Sequence, residues 1–144
     1  MASIDFSNDE LVVKLHGIDR ILALRMSITV PLGHVDDVRA YPPEADFDVA
    51  VRDPSVGTGL FVGGKLAVGT VALDDGLAFF DVRNKKHTLA IDLHHETYRH
   101  IVVELDDESP EHARRRVAEA VNAYRAMRAA KDGIEGGAPK LLTV

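Results

Sequence analysis

Seven histidines stand in this chain of 144 residues, four of them at 87, 94, 95 and 100. Histidine is the usual nitrogen ligand of zinc, which needs three or four ligands converging on one point about 2 Å from each. In an extended strand the adjacent His94 and His95 point to opposite faces, so at most one of them is expected to join His87 or His100. No His-Glu-x-x-His pattern occurs, and the absence of cysteine removes thiolate ligands, disulfides and a thiol nucleophile. These histidines therefore read as surface or strand-end residues, and no metal or cofactor is expected. His34-Val35-Asp36-Asp37 offers a base and two carboxylates for metal-dependent catalysis, the enzymatic alternative. Its simpler reading is a polar turn leading out of a strand. The five serines, Ser3, Ser7, Ser27, Ser55 and Ser109, include no Gly-x-Ser-x-Gly elbow. Gly57-Thr58-Gly59 and Gly63-Gly64-Lys65 fit neither phosphate-loop pattern, and no helix follows to hold an anion. No catalytic residue is assigned, and a protein that binds rather than catalyses is expected.

Charge says more about binding. Lys and Arg number 17 against 23 Asp and Glu, a net of −6, so nothing draws the whole chain to nucleic acid or anionic lipid. Residues 109–131 carry six basic and two acidic residues, +4, leaving −10 for the rest. Such asymmetry suits a solvated basic helix face, or complementary contact with a partner or a second copy. Arg115 and Arg116 are the candidate partner contacts. Three successive arginines diverge around a helix and no aromatic platform accompanies them, which argues against nucleic acid. Arg83, Lys85 and Lys86, at a turn between strands, are the candidates for an anion or a lipid headgroup, a second alternative. Asp81 and Arg83, two apart, share a strand face and suit an ion pair.

The elements that must carry these residues are mostly strands. Leu11, Val13 and Leu15 alternate with polar positions, as do Ile28, Val30 and Leu32, then Phe47, Val49 and Val51. Lys65–Leu73 and Leu77–Val82 flank Asp74-Asp75-Gly76, whose Asp-Gly pair favours a tight hairpin. Thr88–Leu93 and Ile101–Leu105 follow. About seven strands joined by short connections predict an antiparallel meander with one dry and one wet face. Ala40–Ala45 and Asp53–Gly59 read as loops, and Ile18–Leu24 as a short helical patch.

One long helix is expected over 109–131. Ser109 is an N-cap, Pro110 fits the first helical position, and Glu111 suits the first turn and pairs with Arg115. Ala113, Val117, Ala120, Val121, Tyr124 and Met127 form its apolar stripe, and Gly133 is its stop. Residues 132–144 read as a flexible tail, with Leu141-Leu142 available to dock. A 46% hydrophobic composition supports one core and one domain over 1–131. No apolar run reaches the about 18–20 residues that span a bilayer, and the acidic N-terminus is unlike a signal peptide. A cytoplasmic location is the expectation, with the membrane surface not expected as a partner.

Strands capped by a C-terminal helix give a mainly β, α+β fold: a bent antiparallel sheet or partly open barrel, with Gly63, Gly64 and Gly69 at its bends. Phe61-Val62-Gly63-Gly64, Val68-Gly69-Thr70, Phe79-Phe80-Asp81-Val82-Arg83, Leu89–Leu93 and Tyr98 through Leu105 follow one another in an order that resembles bacterial pleckstrin-homology-like (PH-like) proteins of uncharacterised role. The resemblance implies seven strands and a capping helix, and no catalytic residues. The lipid-binding first hairpin of eukaryotic PH domains has only Arg20 and Arg25, with Asp19 beside Arg20, in its place here, over His16–Arg25. A protein or peptide partner, or a second copy making a homo-oligomer, bound at a sheet edge or in the cleft beside the helix, is the expected mode of action.

Overall fold

The computed structural model describes residues 1–17, 27–43, 57–62, 66–83, 85–133 and 140–144. The helical patch at 18–24, the strand around Phe47, Val49 and Val51, and the Gly63-Gly64 bend lie outside them. The described elements are β1 (Ala2–Ser7), β2 (Glu10–Leu15), β3 (Ser27–Pro31), β4 (Val35–Ala40), β5 (Gly57–Val62), β6 (Leu66–Leu73), β7 (Gly76–Val82), β8 (Thr88–Leu93), β9 (Tyr98–Glu104) and the helix α1 (Pro110–Lys131). Single 3-10 turns, Leu32–His34 and Lys85–His87, lead into β4 and β8. The protein is thus mainly β, with one C-terminal helix.

The strands form two sheets rather than one. β1, β2 and β3 make a three-stranded antiparallel sheet. Asn8 and Asp9 turn its first hairpin with left-handed φ values of 52° and 62°, the conformation that two-residue hairpins favour. The second sheet has the order β4-β8-β9-β7-β6-β5. Among the described residues an isolated bridge between Ala2 and Leu105 joins the two sheets.

The larger sheet corrects the expected meander. β9 lies between β8, its antiparallel partner, and β7, to which it runs parallel, so the sheet is mixed, and with β4 and β5 at its two edges it does not close into a barrel. Nor does it have a wet face at its centre. Adjacent Phe79 and Phe80 are 0% and 1% exposed on opposite sides. Phe79 joins the main core with Leu89, Ile91, Ile101 and the α1 residues Val117 and Val121. Phe80 joins a second core with Ala67, Val71, Ala78, Val82, Ala90 and Val102. A strand buried on both sides reads as a continuous apolar run, which Ala78-Phe79-Phe80 and Ile101-Val102-Val103 are. Truncating Phe79 to Ala would cost about 3–5 kcal/mol.

Three strands were not expected. β1 carries the alternation Ala2, Ile4, Phe6, whose first two members are buried. Gly57–Gly59 belongs to β5 instead of a loop, and Gly59 pairs with Gly69, where φ reaches 141°. β4 replaces the predicted polar turn at His34–Asp37. Its buried residues Val35 and Val38 are three apart because the register with β8 slips between Val35 and Asp37, which hides the period of two.

α1 begins as its sequence dictates. The Ser109 hydroxyl accepts from the His112 N–H at 3.1 Å, a cap that contributes about 1 kcal/mol, and Gly133 follows the helix with φ 64°. Pro110, Ala113, Val117, Ala118 and Val121 are buried against β4, β8 and the 3-10 turn before β4. Ala118, outside the expected stripe, is buried, whereas Met127, expected in it, is 49% exposed. Glu111 pairs with Arg114, one residue short of the expected Arg115. No helix among the described residues is long and apolar enough to cross a membrane.

Candidate functional site

Two register slips bring charged side chains together at one end of β4, β8 and β9. The first leaves Asp36 unpaired in β4. The second leaves Arg99 out of step, because Tyr98 pairs with Leu77 and His100 with Ala78. Such slips re-aim a side chain out of the regular alternation. Here the two displaced residues meet, Arg99 Nη1 donating to Asp36 Oδ2 at 2.9 Å. The same nitrogen donates to the Leu93 carbonyl at the end of β8. Asp36 Oδ1 lies 2.6 Å from His94 Nδ1. Partial burial opposes ionisation of Asp36, but the His94 and Arg99 hydrogen bonds outweigh it and hold its carboxyl below the usual range.

His94 and His95 do not point apart. They follow β8 in a bend where His95 adopts a left-handed φ of 57°, and the rule of opposite faces holds only for extended backbone. Their ring centroids are 4.9 Å apart, and those of His34 lie 5.5 and 5.9 Å from them. His34 Nδ1 is 3.7 Å from the Glu96 carboxylate. Asp37 turns away and accepts from the Val38 N–H. Among the described residues no group of three or more histidines or carboxylates is placed to hold a metal ion.

Beside this cluster, His100 bridges two carboxylates, Asp92 at 2.7 Å from Nδ1 and Asp75 at 2.6 Å from Nε2. Asp92 also takes a two-pronged contact from Arg39, both bonds 2.9 Å, the strong geometry for a guanidinium on a carboxylate. Burial disfavours the His100 cation, yet the hydrogen bonds to Asp92 and Asp75 prevail and raise its pKa. The His100 hydrogen bond, working against slight burial, holds Asp75 below its ordinary value. His87 sits at the opposite end of β8, exposed, its carbonyl accepting from the Leu105 N–H at 3.0 Å.

The cationic candidates are dispersed. Arg83 and Lys86 are exposed at the end of β7 and in the turn before β8, and the Lys85 side chain lies outside the described residues. Asp81 is fully buried, 3.1 Å from the Met1 amino group, while the Arg83 N–H donates to the buried Glu104 carboxylate at 2.7 Å. Arg116 is held against Glu108 and lies over the Phe6 ring, 5.4 Å from its centroid. Arg115 is exposed.

A second constellation involves helix residues that the sequence reading did not choose. The segment Lys140–Thr143 lies along α1, running against it. Asn122 Nδ2 donates to the Leu142 carbonyl at 2.9 Å and its Oδ1 accepts from the Leu142 N–H at 2.7 Å. Arg114 Nη1 donates to the Thr143 carbonyl at 2.7 Å, and Arg125 Nη1 to that of Lys140 at 2.6 Å. The other arm of Arg125 donates to the Val35 carbonyl of β4 at 2.6 Å, which ties the helix to the edge of the sheet. Leu142 packs on the main core, so the expected docking involves Leu142, while Leu141 stays 53% exposed. Steps of eight and eleven residues put Arg114, Asn122 and Arg125 within about 80° of one helix face, a pattern present in the sequence beside the apolar stripe.

The chain matches no protein-family model, and no curated protein and no solved structure is significantly similar to it.

Proposed function

We propose that this chain is a non-enzymatic interaction domain of PH-like design, which binds a protein or peptide segment in the cleft between α1 and β4. One observation carries the reading: the face of α1 beside β4 already holds a stretch of polypeptide, Lys140–Thr143, through its main chain. The element order, strands first and a packed helix last, supports the PH-like part. The parallel β7–β9 pair is a departure from a plain meander. Against catalysis, both oxygens of Asp36 are engaged, one by His94 and the other by Arg99, which leaves this carboxylate poorly placed to serve as a base.

The reading is tested by panning a random peptide library on the intact chain. Enrichment of peptides sharing an aliphatic position, and their loss of binding to a chain carrying a bulky substitution in the cleft, Ala118→Trp excluded because it is core, is the expected result; Asn122→Trp is the suitable variant. Failure to enrich any peptide over an unrelated scaffold overturns it.

A further inference from the structure

All four hydrogen bonds that α1 makes to Lys140–Thr143 end on main-chain atoms. The Asn122 amide presents one donor and one acceptor to the two backbone groups of Leu142, as a residue of a neighbouring β-strand would. No hydrogen bond in this set depends on which side chains the segment carries. Selectivity enters at one place, the apolar contact of Leu142 with the core, because Lys140, Leu141 and Val144 face outward. Backbone pairing for affinity and a pocket for one side chain is the general mode by which folded domains take up extended peptides.

The segment is also held by a limited set of contacts. It has no strand partner among the described residues, its three polar anchors come from one helix, and Leu142 is only partly buried. Segments of this kind open at low cost compared with the global unfolding of the domain. The second arm of Arg125 is bonded to the Val35 carbonyl of β4 and not to the segment, so this anchor has a partner of its own in the sheet.

We infer that the α1–β4 groove is a backbone-reading peptide site whose resident occupant, Lys140–Thr143, is displaced by an extended segment of a partner protein with an aliphatic side chain in the place of Leu142. This inference rests on the binding reading above and narrows it to one groove, one polypeptide conformation and one selective position. The resident segment acts as a competitor. An incoming peptide meets only the fraction of molecules with the groove open, and its apparent affinity falls by that fraction.

The probe is a fluorescein-labelled synthetic peptide, Lys-Leu-Leu-Thr-Val behind a Gly-Ser spacer, titrated into the intact chain and into its full-length variant Leu142→Asp, which disfavours the resident contact. The variant is expected to bind at least tenfold more tightly than the unsubstituted chain. Adding Asn122→Ala to it is expected to lose at least tenfold, and a Lys-Leu-Asp-Thr-Val peptide not to bind. Should Leu142→Asp fail to fold, Leu142→Ala gives the same ranking on a smaller scale. Equal binding to the variant and the unsubstituted chain, or indifference to Asn122→Ala, overturns the groove assignment. Library peptides that survive Asn122→Ala do the same while leaving the broader binding reading standing. A concentration-dependent dimer in light scattering that Leu142→Asp abolishes overturns the choice of partner, since the tails would then exchange between two copies.

Discussion

The end of the sheet around Asp36 and the groove along α1 are both rich in charged and amide side chains, yet they use them in opposite ways. At the sheet end, side chain meets side chain: Arg99 with Asp36, Asp36 with His94, Arg39 with Asp92, Asp92 with His100, His100 with Asp75. Each group's best partner is already in place, so a ligand would have to break a bond to make one. In the groove, Asn122 and Arg125 meet backbone, and Arg114, whose other nitrogens hold Glu111, turns Nη1 to backbone too; backbone is what every polypeptide carries. A saturated side-chain network fixes strands in register, whereas donors aimed at main chain leave the identity of the occupant open. Polarity alone does not mark a site; what the polar groups are bonded to does.

Substitutions can pull this contrast apart. The largest expected effect is that of Asp92→Ala, which strips partners from both Arg39 and His100; a loss of about 2–4 kcal/mol in urea unfolding is expected. A loss under 1 kcal/mol would mean that the network is ornamental and the comparison fails. Arg99→Ala follows, at about 1–3 kcal/mol, because it removes at once the donor to Asp36 Oδ2 and the donor to the Leu93 carbonyl. Asn122→Ala should cost no more than about 1 kcal/mol, while amide exchange at Leu142 accelerates and that of β8 does not. Slowed refolding or a cost as large as that at Asp92 would make the groove as structural as the cluster.

The subtlest test is pH. The raised pKa of His100 means that its two carboxylate bonds stabilise the fold fully below the ordinary histidine value near 6.5, where folded and unfolded chains both hold the proton. That contribution fades as pH rises through the higher folded value. Asp36 and Asp75, lowered in the fold, act at the other end, and lose their contribution as pH falls below about 4. Unfolding midpoints compared between pH 6 and 9 should drop for the unsubstituted chain and flatten in His100→Asn. An unchanged slope in the variant would remove His100 from the network's account.

The same contrast governs what the sequence made legible. Elements whose signals are local came through: Ser109 and Pro110 start the helix, Asp74-Asp75-Gly76 turns the β6–β7 hairpin, and Leu11, Val13 and Leu15 face inward. What stayed hidden depends on pairing between distant residues. The slips at Asp36 and Arg99 exist only relative to β8 and β7, so no window of sequence around either residue shows them. His94 and His95 misled because they lie past the strand, which ends at Leu93 as expected, and the alternation of faces does not carry into the bend where His95 turns left-handed. The groove lay between the two cases. Arg114, Asn122 and Arg125 share a helix face in the sequence itself, but their meeting with Leu142 required knowing that the chain doubles back.

The parallel seam between β7 and β9 bears on how the molecule comes to exist. Among the described residues β9 is the last strand, and it lies inside its sheet, with β7 on one side and β8 on the other. Until residues 98–104 have left the ribosome, the β5–β6–β7 hairpins and the β4–β8 pair are separate pieces, each with a bare apolar edge. Such edges invite the wrong neighbour, and insertion of a central strand between distant segments is a slow kind of closure. A nascent chain stalled short of Tyr98 would therefore be the species most in need of a chaperone.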